Sequence, residues 1–393
     1  MASFICRGIF MRLNTDFSDI KRQIIELGES LKHTTDKSDF YRKYMTFCAF
    51  NYVYSLKKRS NIVLADELDE FGIKCYDEKC LEAKRDFADN KLYHRDVLEN
   101  SFDVPSEMMV IIACSKYFKN LKRKHFPRIK EGERSEILEA FFKEAFPGGW
   151  DILGELVEKK HLYRLDTMAT MGVSAFTIFN IENKAGNIFF HDKLRTVATL
   201  ASLAHEMGHV YDYLDGLDTF SKEEMVDYSV NSIFSETLSC YYNQLFLEYL
   251  LKNGIREEET TRSFMEFFSS LFAYLESGLL LTLLSDEEYS KVFDGAVMKK
   301  NVTEMLQEKK LIEEGEYLFA SPTSKMHGIE ENRYSYGILI SNMIINGEIS
   351  LDDFMNIRGK TFNRESLEGI GFSADKAKKS LVKTMDRTMI KKI

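Results

Sequence analysis

Four prolines in 393 residues leave this chain few places where a helix must break. Only 21 glycines add to that punctuation, so the pattern predicts few sharp turns and a mainly α fold. Helical apolar spacing runs through Ile20 to Leu31, Asp39 to Leu56, Met108 to Phe126, which Pro127 closes, and Glu136 to Phe146. The turn Pro147-Gly148-Gly149 then offers a boundary, giving an N-terminal helical region over 1–150 and a second domain over 151–393. Asp227 to Leu251 reads as a long helix ending at Asn253-Gly254, Ser263 to Leu284 as one or two more, and a helical region follows Arg333. One passage departs from this pattern. Ala175 to Ile181 and Asn187 to Phe190 are β-branched and aromatic, flank a turn with Asn183 and Gly186, and read as a β-hairpin.

Composition narrows the partners. Lys and Arg number 53 against 62 Asp and Glu, a net charge of −9, which argues against a general nucleic-acid binder. The basic cluster between Lys116 and Lys130 then reads as a solvated helix face. Six cysteines are scattered without a C-x-x-C pair, a pattern of reduced thiols in a cytoplasmic protein rather than of a disulfide framework. The N-terminal segment carries Arg7 inside its only apolar stretch and does not read as a signal peptide. Leu279 to Leu284 is too short to span a bilayer, so no membrane partner is expected. No signal for an oligomeric state stands out.

The chemistry sits at His205-Glu206-Met207-Gly208-His209. Two histidines four apart on a helix lie on one face, about 40° from eclipsed, so both imidazoles can reach one Zn²⁺. Glu206, beside the first, can then take a proton from an activated water. Chance alone would place H-E-x-x-H in about one chain per hundred of this make-up, so context matters. Val197, Leu200, Ala201, Leu203, Ala204, Val210, Tyr211 and Leu214 form an apolar stripe at helical spacing, with Asp192 as a possible cap and Gly216 as a stop. Gly208 costs such a helix about 1 kcal/mol relative to alanine, which close approach of another backbone would justify.

A catalytic zinc takes a third protein ligand and keeps one position open. Glu236, in Ser235-Glu236-Thr237-Leu238-Ser239, is best placed among the downstream carboxylates, because a loop and a second helix fit between it and His209. His191 is a rival. The hairpin just before the zinc helix can hold an extended peptide along a strand edge, or can simply cover the core.

These segments resemble a known family. Thr199 to His209 and Ile233 to Ser239 are similar to the zinc helix and glutamate helix of the oligoendopeptidase F and thimet oligopeptidase family of zinc metallopeptidases. The similarity continues at His327-Gly328 and Tyr334-Ser335-Tyr336-Gly337, and more faintly at Ser373-Ala374-Asp375, covering roughly residues 165–375. The resemblance implies a truncated glutamate-zincin: a helical zincin-type peptidase with a small sheet beside the zinc helix and a cleft between helical lobes. It implies one Zn²⁺ on His205, His209 and Glu236, with Glu206 as general base. His327 and Tyr336, favoured over Tyr334, would stabilise the oxyanion. The implied activity is endopeptidase cleavage of oligopeptides. The alternative is a catalytically silent protein that keeps the peptidase shell to bind a peptide or partner; an intact Glu206 argues against it.

Overall fold

The computed structural model describes residues 13–58, 125–165, 175–269 and 329–389, apart from 147, 181, 192–194, 222–223, 226–227, 229–232 and 360–363. The helix predicted from Met108, most of the basic cluster, the apolar run at Leu279 and His327 lie outside these residues. The chain divides into two compact units. One joins Met1–Asp89 to Phe126–Asp227, and the other joins Asn90–His125 to Tyr228–Ile393. The described residues are mainly helical, with a small three-stranded sheet.

The first unit is organised around that sheet. Its elements are α1 (Ser18–His33), α2 (Lys37–Lys58), α3 (Glu131–Ala145), α4 (Gly149–Glu158), β1 (Leu162–Leu165), β2 (Ala175–Asn180), β3 (Ala185–His191) and α5 (Val197–Thr219). β2 and β3 form the hairpin that the sequence predicts, antiparallel with Phe176 opposite Phe189. β1 joins β3 in parallel, Leu162 opposite Ile188, so the order is β1-β3-β2 and β2 is an edge.

Period-two alternation sorts the strands' side chains onto two faces. Ile178, Phe189, Tyr163 and Leu165 face α1 and α2, where they join Ile20, Ile24, Leu27, Phe50 and Val53 in one core. Phe189 stacks between Tyr163 at 4.9 Å and Phe176 at 5.2 Å. Asn180, on the same face, donates a hydrogen bond to Gln23 of α1 at 2.9 Å, both residues being buried. Truncating a core residue such as Ile24 would cost roughly 2–5 kcal/mol. The opposite face meets α5. Phe179 stacks on Tyr213 at 4.7 Å, and a Cβ on Gly186 would lie 2.9 Å from Val210 Cγ2. Gly186 is therefore a packing glycine that lets α5 lie against the sheet.

The second unit contains a 3-10 turn (Ile233–Glu236), α6 (Thr237–Lys252), a helix over 257–269, α7 (Ile329–Ile345), α8 (Leu351–Ile357), α9 (Arg364–Gly369) and α10 (Ala374–Met389). α7 packs against the 3-10 turn, α6 and α10. A buried polar seam ties them: Gln244 donates to Asn342 at 3.1 Å, and Asn342 to Ser380 at 2.9 Å. Asn346 donates to Ser380 and Thr384, each at 2.8 Å. α6 begins at Thr237, not at Asp227 as apolar periodicity predicts. Ser235 lies within the 3-10 turn and Ser239 in the first turn of α6, and serine hydroxyls compete for backbone groups where a helix would otherwise continue. Among the described residues, no helix is long and apolar enough to cross a membrane.

Candidate metal centre

α5 forms because its apolar stripe is covered. Val197, Leu200, Leu203, Ala204, Met207 and Val210 are all buried. Its start is fixed by Thr196, whose side chain accepts the Thr199 N–H at 3.3 Å while Thr199 Oγ1 accepts the Thr196 N–H at 3.4 Å. This reciprocal cap replaces Asp192, which lies outside the described residues. Gly216 is not the stop that its identity suggests. The helix runs on to Thr219 and ends where Phe220 N–H bonds to the Gly216 carbonyl at 2.7 Å. A Cβ at Gly216 would lie 2.7 Å from Met225 Sδ, so this glycine serves packing.

The motif residues take the arrangement that helical spacing dictates. His205 and His209 are half-buried, with ring centroids 5.0 Å apart at 85°. Glu206 is 5% exposed and turned to the sheet, where Thr177 Oγ1 donates a hydrogen bond to its Oε2 at 2.7 Å. Burial takes water away from that oxygen, and the hydroxyl supplies the hydrogen bond in its place.

In the second unit Glu236 ends the 3-10 turn and precedes α6. It is 8% exposed, and Ser239 Oγ donates to its Oε2 at 2.8 Å. Cys240, one turn further along, is buried. Burial and the adjacent Glu236 charge push its thiol well above the usual range, while Ser239 acts in the opposite sense. α7 closes on this turn at Gly337. A Cβ there would lie 2.8 Å from the Glu236 carbonyl oxygen and 2.9 Å from its carbonyl carbon. Tyr336 is 1% exposed with its ring 5.8 Å from Phe372, whereas Tyr334 is half-buried. At 100° per residue, Tyr334 lies about 60° around α7 from Gly337 and Tyr336 about 100°.

His205 and His209 stand on α5 of the first unit, and in the second unit Glu236 and Cys240 bring ligand atoms within 4.8 Å of each other. Cys240 is the residue that sequence reasoning missed. Its signal was spacing, since Glu236 and Cys240 stand at i and i+4 and share a helix face. Imidazole, carboxylate and thiolate are all ordinary zinc donors, so the chemistry of the set suits that ion. No family model, curated protein or solved structure matches this chain.

Proposed function

We propose that this protein is a zinc-dependent endopeptidase acting on oligopeptides, with a zincin-type architecture like that of the oligoendopeptidase F and thimet oligopeptidase family. The observation that carries the reading is the imidazole pair on α5 beside a buried carboxylate held by a hydroxyl. His205, His209 and Glu236 are the residues proposed to hold zinc. Bound there, zinc supplies Lewis acidity toward a peptide carbonyl and lowers the pKa of water.

The chain's own residues carry the remaining work. Glu206 accepts a proton from water as it attacks and passes it to the departing amine. A tyrosine of α7 donates a hydrogen bond to the developing oxyanion, with His327 in the same role. Tyr334 suits that task better than Tyr336, being less buried and nearer in helical angle to the Glu236 contact. β2, the edge strand among the described residues, offers main-chain hydrogen bonds to an extended peptide, whatever its side chains. We place the protein in the cytoplasm because its cysteines lack a disulfide pattern.

One observation favours a second reading. Cys240 stands beside Glu236, and as a fourth protein ligand it would close the site, as structural zinc sites are closed. The protein would then hold metal and bind peptide without turnover. A quenched peptide library separates the two. The endopeptidase cleaves it, loses activity to a chelator and regains it with zinc. Glu206→Gln retains zinc and loses at least about a hundred-fold in kcat. Wild-type turnover in that variant would refute the general-base role, and zinc-loaded protein without turnover would establish the silent reading.

A further inference from the structure

A general base must present a particular lone pair to the water it deprotonates, and a carboxylate on three rotatable bonds does not do this by itself. Glu206 is 5% exposed, and one of its oxygens is already engaged. Thr177 Oγ1 donates to Oε2 at 2.7 Å. The same hydroxyl lies 3.4 Å from the Glu206 carbonyl oxygen, the longer of the two contacts, so its single proton goes to the carboxylate. Oε1 is left for the water.

The donor is itself held. Thr177 lies in β2 opposite Ile188 of β3, so the ladder fixes its backbone. Two residues on, Phe179 stacks on Tyr213 of α5, which pins the same face of the strand to the same helix. Threonine's branched Cβ restricts χ1, so the hydroxyl direction is set by backbone position. Among the described residues β2 is also the edge strand, so the element that can receive a peptide main chain carries the group that orients the base.

We propose that Thr177 is the positioning residue for Glu206, fixing Oε2 so that Oε1 meets the attacking water. The inference rests on the endopeptidase reading, and its test separates the two. Full-length Thr177→Val and Thr177→Ser are compared with wild type for thermal melting, zinc content, peptide hydrolysis and affinity for a peptide hydroxamate. The hydroxamate hydroxyl hydrogen-bonds to a general-base carboxylate, which gives a readout apart from turnover. A peptide amide of the same sequence is the control. Thr177→Val keeps its zinc, loses roughly ten- to a hundred-fold in kcat with little change in KM, and loses hydroxamate affinity by a similar factor. Its affinity for the amide is unchanged, and Thr177→Ser recovers most of both losses. Wild-type kcat and hydroxamate affinity in Thr177→Val overturn the proposal. So does a serine variant as impaired as valine, because only packing would then matter. A wild-type protein that neither cleaves peptides nor binds hydroxamate overturns the endopeptidase reading and the proposal with it.

Discussion

Gly337→Ala sets two opposing effects against each other, and the structure decides the sign. Alanine is about 1 kcal/mol better than glycine inside a helix, so propensity alone makes the variant more stable. Against this, the new methyl would sit 2.8 Å from the Glu236 carbonyl oxygen and 2.9 Å from its carbonyl carbon. These are backbone atoms and cannot swing aside as a side-chain tip can. Reaching an ordinary 3.4 Å contact from 2.8 Å means opening α7 from the turn by about 0.6 Å. Forcing a methyl into a packed site costs about 1–3 kcal/mol. The net expectation is a loss of about 1 kcal/mol, read as weaker amide-exchange protection in α6 and α7. The displaced turn carries Glu236, the proposed zinc ligand, so zinc affinity should fall as well, by about an order of magnitude, because ligand positions tolerate only a few tenths of an ångström. A variant that is more protected than wild type, with unchanged zinc affinity, would refute the close contact.

Two further tests address the first unit. Gly186→Ala places a methyl 2.9 Å from Val210 Cγ2 and should destabilise by about 1–2 kcal/mol, while Val210→Ala in the same chain should recover part of that loss in urea unfolding. Burial lowers the His161 pKa below 6.5 and Lys159 adds to this, against Asp19 and Glu155, which raise it. The unfolded chain therefore binds more protons between the folded value and 6.5. This part of the stability is fully present above 6.5 and is lost as pH falls through the folded value. The fluorescence of Trp150, in the same unit, should show wild type losing urea resistance between about pH 8 and about pH 5 more steeply than His161→Gln.

Local pattern announced most of these elements. The long helices and the hairpin follow from spacing that a window of about eleven residues contains. β1 is only four residues, Leu162–Leu165, and exists because β3, more than twenty residues later, offers a parallel partner. No window over β1 holds that information. One glycine misled, while Asn253-Gly254 ends α6 as its identity suggests. Gly216 carries the chemistry of a helix stop, yet Met225 fills the space its missing side chain leaves, a reason that lies in the fold and not in the helix. At the candidate metal centre, two imidazoles four apart are legible at once because their geometry is local. Cys240 was passed over because a lone cysteine in an apolar run resembles any core residue until its proximity to Glu236 is seen.

The aromatic face of the sheet carries a consequence for biosynthesis. α1 and α2 leave the ribosome before the sheet, but their apolar sides are covered by β2 and β3, made more than a hundred residues later. At about 5–20 residues per second, Ile20, Ile24 and Phe50 wait several seconds or longer for their neighbours on the sheet. During translation the nascent chain presents a greasy helical pair to its surroundings. Its yield should therefore depend on chaperones that bind such segments more than on the stability of the finished molecule.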